Sequence, residues 1–206
     1  MIRRKPEEWI RVTKQGLFVD PGNFFIDPNT ATDIAVITHG HADHARSGHK
    51  KVISTHETLA IMKVRFGENH SPLPYGIAYG EKLKINDVLI WLVPAGHVLG
   101  SAQIVLEYKG SRVVVSGDYK RQKDPTCLSF EPVNCDVFIT EATFGLPVFK
   151  HPEAQEEITK LLRSIDLLRE TVNCALKQIN QSDRIIITND GIEDDNNLIN
   201  LLKIKD

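Results

Sequence analysis

Four side chains able to hold a metal fall within six residues, His39-Gly40-His41-Ala42-Asp43-His44, directly after the apolar run Ile34-Ala35-Val36-Ile37-Thr38. A single histidine in a sequence is usually a hydrogen-bonded core or surface residue, but a group this dense behind a β-type run is a ligand cluster. The pattern recurs, with His97 after Trp91-Leu92-Val93-Pro94 and Asp118 after Val113-Val114-Val115-Ser116. Separate strands therefore bring ligands to one sheet edge, and Gly40, Gly96 and Gly117 let the backbone bend close to an ion. His49, His56, His70 and His151 belong to no such group and read as ordinary histidines.

Imidazole and carboxylate suit zinc, which takes four or five ligands and keeps a position for water when catalytic. His39 and His41 alternate around one small residue and reach one metal, with His97 as its third ligand, while Asp43 and His44 face a second metal and Asp118 bridges both. Two such ions roughly 3.5–4 Å apart would activate a water between them. Manganese is an alternative metal. Asp27, behind Phe24-Phe25-Ile26, either orients a ligand or solvent or is a turn-forming Asp before Pro28. Glu141 is either a general acid/base or a plain strand-end carboxylate. Asp43, Asp118, Glu141 and Asp27 are thus the candidate catalytic residues.

Short β-rich runs at 33–38, 51–54, 88–93, 102–108, 112–116 and 136–140 predict a layered α/β core. Leu59, Met62 and Phe66 predict a helix over 56–66. The acidic run Pro152-Glu153-Ala154-Gln155-Glu156-Glu157 opens a second helix carrying Ile158, Leu161, Leu162 and Ile165. Composition shifts near Leu168, after which a helical stretch (170–179), a strand (184–188) and a polar tail without histidine are expected. The predicted organisation is a core over 1–168 and a distinct region over 169–206.

A formal net charge of −2 excludes a uniformly basic surface, so any polyanion contact is local. Arg46 beside the histidine cluster, with Lys120, Arg121 and Lys123 after Asp118, could hold phosphates or form a solvated basic turn. The three cysteines lack CxxC spacing, no apolar run is long enough for a membrane span, and the first residues lack the pattern of a secretory signal. A cytoplasmic protein with free thiols, not attached to a membrane, is expected.

These motifs resemble the metallo-β-lactamase superfamily, whose HxHxDH signature His39 to His44 match. Ala95-Gly96-His97-Val98-Leu99-Gly100-Ser101-Ala102-Gln103, Ser116-Gly117-Asp118-Tyr119 and Thr140-Glu141-Ala142-Thr143-Phe144-Gly145 resemble its β-CASP nucleases, and within them the bacterial ligase-associated DNA exonucleases. The similarity runs over about residues 9 to 168. It implies an αββα sandwich with a β-CASP cap, incomplete here. It also implies two Zn2+ held by His39, His41, Asp43, His44, His97 and Asp118, with Asp27 and Glu141 supporting them. The implied activity is phosphodiester hydrolysis in DNA repair, with nucleic acid as partner, DNA before RNA, and a functional link to a DNA ligase. Family members continue much further and supply another zinc-binding histidine, whereas no histidine follows His151 here. The second metal is therefore expected to be weakly held, and the chain to be shortened or completed by another. The rival expectations are an RNA-processing ribonuclease or other hydrolase of the superfamily, and an inactive remnant or nucleic-acid-binding module.

Overall fold

Side chains that alternate between two buried surfaces along short strands organise this chain into two facing sheets. The computed structural model describes residues 3–181, apart from residues 69, 144, 147 and 149–151. The first sheet runs in order through β1 (Ile10–Thr13), β2 (Gly16–Val19), β3 (Phe24–Ile26), β4 (Ile34–Val36), β5 (Lys51–Ser54) and β6 (Leu73–Gly76). Its first three strands are antiparallel and β3 to β6 are parallel. Helix α1 (His56–Phe66) is the crossover between β5 and β6. The second sheet comprises β7 (Leu83–Ile85), β8 (Val88–Pro94), β9 (Ala102–Tyr108), β10 (Ser111–Val115) and β11 (Val137–Ile139). All of its pairings are antiparallel except β10 with β11.

The period-2 geometry of a strand assigns its side chains to layers. On β5, Ile53 enters the core between the sheets and Val52 the layer beneath α1. On β8, Ile90 and Leu92 face the first sheet, while Trp91 and Val93 point to the far side with Val105 and Val114. The inter-sheet core joins Trp9, Phe24, Ile26 and Val36 to Ile104, Leu106 and Val113. Each fully buried aliphatic or aromatic side chain there contributes about 1.5–3 kcal/mol. Helix α1 adds Leu59 and Met62 to Ala35, Ile37 and Val52, so its layer covers the outer face of the first sheet. Thr55 caps α1 by accepting the N–H of Thr58.

The chain divides into two compact units, Met1–Gly145 and Leu146–Asp206. The sheets and α1 lie in the first, and α2 (Ala154–Gln181) lies in the second. The composition shift near Leu168 falls inside α2, which runs through it, and the helical stretch at 170–179 is its continuation. Neither glycine nor proline interrupts 154–181, and Ile158, Leu161, Leu162, Ile165, Leu168 and Val172 keep helical spacing, so the loss of histidines marks no backbone break. The strand expected at 184–188, the polar tail and His151 lie outside the described residues.

Strands β1, β2, β6 and β7 are additions to the sequence-based expectation. Each is only three or four residues long, and β6, Leu73-Pro74-Tyr75-Gly76, lies at a sheet edge, where proline needs no ladder partner on its free side. Among the described residues, no helix is long and apolar enough to cross a membrane. Cys127, Cys135 and Cys174 are free thiols.

Candidate metal centre

The C-terminal ends of β4, β8 and β10 lead into the turns that carry His39, His97 and Asp118. The backbones meet there, because Ala102 at the head of β9 donates its N–H to the Thr38 carbonyl at 2.8 Å. The Arg65 guanidinium on α1 donates to the Gly40 carbonyl at 2.7 Å, tying the histidine turn to the helix. The Ser101 hydroxyl accepts the N–H groups of His97 and Val98 at 3.1 and 3.2 Å. Gly96 has φ +73°, and a Cβ on it would come within 2.3 Å of the Lys120 carbonyl. Only glycine fits that turn without displacement.

One ligand atom each from His39, His41, His97 and Asp118 lies within 4.8 Å of all the others. His39 Nε2 is 3.0 Å from His41 Nδ1, which is 3.2 Å from His97 Nε2. Asp118 Oδ2 is 3.7 Å from His39 Nε2 and 3.6 Å from His97 Nε2. Ligands at zinc-like bond lengths around a tetrahedral ion are about 3.3 Å apart. These separations bracket that value, and three imidazoles with one carboxylate form a donor set suited to a divalent metal.

Electrostatics favour the same use. Burial pushes the His39 imidazole down to about 3, helped by the neighbouring imidazoles, so it is neutral with a lone pair to offer. Burial likewise lowers His97. His44 differs: burial opposes its charge but is outweighed by the hydrogen bond and charge of Asp27, then by Asp118 and Asp43, and it is raised. Asp43 is lowered, since its own backbone N–H and nearby imidazoles outweigh burial.

His44, whose ring centre lies 4.2 Å from that of His39, turns Nε2 toward the other Asp118 oxygen, 3.4 Å from Oδ1, and this nitrogen lies 3.7 Å from Asp43 Oδ2. The two oxygens of Asp118 thus address different imidazole groups. Asp27 takes the left-handed backbone conformation with φ +43° and its Oδ2 accepts the His44 Nδ1–H at 2.8 Å. Its Oδ1 accepts the Thr38 N–H at 2.8 Å. Asp27, Asp43, His44, Asp118, Thr140 and Glu141 help to line a cleft of about 270 Å³. Larger hollows of about 350 and 490 Å³ lie elsewhere, lined in part by Gly48 with Lys50 and by Ser111 with Arg112 respectively. Neither is lined by a candidate ligand, whereas Asp43, His44 and Asp118 line the smaller cleft, which is therefore the candidate site.

Glu141 Oε2 accepts the Thr143 N–H at 2.6 Å, which orients its carboxylate at that cleft. The basic candidates separate. Arg46, Arg121 and Lys123 are exposed. Lys120 is half-buried and donates to Asp124 Oδ2 at 3.1 Å, so its charge is already balanced locally. Thr126, through side chain and backbone, and then Lys120 hold Asp124 down at about 2.

His49 and His70 are buried outside the cluster, and His56 begins α1. Thr38, Arg65 and Ser101 support the site without ligand chemistry of their own. Thr38 and Ser101 adjoin or fall inside motif segments. Nothing local in the sequence distinguishes Arg65, whose partner carbonyl is 25 positions away.

The profile of the Metallo-beta-lactamase superfamily matches residues 31–174. An endoribonuclease of Neurospora crassa is 31% identical over 179 residues, covering 69% of this chain and 21% of that protein. Cleavage and polyadenylation specificity factor subunit 3-I of Arabidopsis thaliana is 26% identical over 178 residues, covering 71% and 25%. A probable DNA ligase of Opitutus terrae is 23% identical over 155 residues, covering 74% and 15%. The chain spans about a fifth of the length of these curated relatives.

Proposed function

Because the chain belongs to the metallo-beta-lactamase superfamily, we propose that it hydrolyses phosphodiester bonds in a nucleic acid at the strand-edge cluster. The carrying observation is the convergence of His39, His41, His97 and Asp118 ligand atoms within 4.8 Å. These four would hold one zinc or manganese ion, and Asp43, His44 and the second Asp118 oxygen would hold another. A divalent ion so bound polarises phosphoryl oxygens and lowers the pKa of water. The second group offers three protein donors against the four of the first, so its ion is the weaker held.

The protein's own groups supply the rest. Asp27 keeps His44 oriented through the 2.8 Å contact to Nδ1. Glu141, beside the cleft, is placed to take or return the proton of the leaving oxygen. Arg46, Arg121 and Lys123 attract backbone phosphates, whereas Lys120 contributes less because Asp124 holds it. Residues 169–206 begin the β-CASP region, with the boundary inside α2.

DNA is the first substrate choice, supported by the likeness of Ala95 to Gln103, Ser116 to Tyr119 and Thr140 to Gly145 to ligase-associated exonucleases, and by the relative named a DNA ligase. RNA is the alternative, and the relatives named endoribonucleases, 31 and 32% identical against 23% for the DNA ligase, support it over DNA. Labelled DNA, labelled RNA and a thioester, each incubated with chain and zinc or manganese, separate the possibilities. DNA cleavage lost in His39→Ala and Asp118→Asn is the expected result. Cleavage of RNA alone selects the second reading, and turnover of the thioester alone, or of nothing, overturns both.

A further inference from the structure

Thr38, between β4 and the first ligand candidate, is buried, and every polar group it has is engaged. Its N–H donates to Asp27 Oδ1 at 2.8 Å, and its carbonyl accepts the Ala102 N–H at 2.8 Å. Its hydroxyl donates to Asp27 Oδ2 at 2.6 Å, and Oγ1 lies 3.0 Å from His39 Nδ1. A hydroxyl has one proton and an ionised carboxylate can only accept. The proton therefore lies toward Asp27, and Oγ1 meets His39 as an acceptor of Nδ1–H.

We propose, on the footing that His39 is a metal ligand, that Thr38 is a positioning residue that holds His39 as its Nδ1–H tautomer. Nε2, the atom facing His41 and Asp118, then keeps its lone pair for the cation. Asp27 Oδ2 accepts the Nδ1–H of His44 as well, so one carboxylate sets two imidazoles, His44 directly and His39 through Thr38. Thr38 also touches the third ligand turn. Gly117 has φ +56°, and a Cβ there would lie 2.7 Å from the Thr38 Cβ. The residue thus connects the histidine turn, Asp27 and the turn that carries Asp118.

The test compares Thr38→Val, Thr38→Ala and Thr38→Ser with wild type and His39→Ala. Long-range proton–nitrogen NMR of the metal-free chain reads the His39 tautomer, competition titration with zinc reads affinity, and circular dichroism checks that each variant folds. Wild type and Thr38→Ser are expected to show the Nδ1–H form and similar affinity. Thr38→Val and Thr38→Ala are expected to populate the other tautomer and bind zinc about 10–100-fold more weakly, the range for loss of a partner that orients a ligand. Folded Val or Ala variants with wild-type tautomer and affinity overturn the role of Thr38. If His39→Ala binds zinc as tightly as wild type, the ligand assignment itself falls, and this proposal with it.

Discussion

His44 and Asp118 meet across the centre of the candidate site, with Nε2 3.4 Å from Oδ1, while the other Asp118 oxygen faces His39 and His97. One carboxylate thus lies between two groups of candidate ligands. Asp118→Asn keeps the shape but removes the charge and one acceptor oxygen. It is expected to lower metal content at both positions and to reduce hydrolysis at least about a hundredfold, the scale of removing one charge-stabilising group. Metal analysis beside an activity assay checks this; an effect on one metal alone would contradict a bridging role.

The two positions should differ in affinity. The first would combine three imidazoles with a carboxylate oxygen, whereas Asp43, His44 and the second Asp118 oxygen would be the donors of the other. Dialysis of the zinc-loaded chain against a weak chelator is expected to leave about one equivalent, since closed four-donor sites hold zinc more firmly than open ones. Calorimetry showing two equally tight ions would contradict it.

Acid should destabilise the metal-free protein. His49 is buried, with Nδ1 3.3 Å from the Thr32 hydroxyl, and burial lowers its pKa below the ordinary 6.5. The unfolded chain then binds the proton first, so stability falls as pH drops through about 6.5. His39, lowered to about 3 by burial, acts in the same direction across pH 6.5 to 3. His44 is raised and opposes them, its contribution being present below 6.5 and lost as pH rises through its folded value. Thermal melts from pH 7.5 to 4.5 should show a falling Tm, with a shallower slope in His49→Asn. An unchanged slope would remove His49 from the acid response.

Gly96 and Gly80 separate backbone strain from steric overlap. Both have positive φ, +73° and +78°, but a Cβ meets the Lys120 carbonyl at Gly96 and nothing within 4 Å at Gly80. Gly80→Ala should cost about 1–2 kcal/mol from strain alone. Gly96→Ala should cost more and displace His97, at about 2–4 °C of Tm per kcal/mol for a chain of this size. Equal losses in the two variants would show that the close approach at Gly96 is relieved without cost.

Phosphate attraction should reside in the free cations. Replacing Arg121 and Lys123 by alanine is expected to weaken binding of a short single strand and to flatten its salt dependence by about 1.4 in log–log slope. Lys120→Ala should change it less, because Asp124 already balances that ammonium. Titrations at several salt concentrations distinguish them, and an equal effect of all three would place Lys120 in contact with the strand.

Much of the fold could be read locally. The ranges 51–54, 56–66 and 102–108 coincide with β5, α1 and β9, because long apolar alternation and helical spacing are properties of neighbouring residues. The short strand β2 and the edge strand β6 could not, since their pairing depends on chain brought from elsewhere. The histidine and aspartate candidates were visible for the same local reason. By itself, then, the sequence determined which ligand-type residues stand behind which strands and where small residues allow a sharp turn. Only the tertiary structure decided that Asp118 turns one oxygen to His39 and the other to His44, that Asp27 reaches His44 and Thr38 together, and that Asp124 claims Lys120. The choice of contacting atom depends on how the strands, turns and helix pack, and partners as near in sequence as Lys120 and Asp124 or as far apart as His39 and Asp118 carry no mark of that meeting in their order.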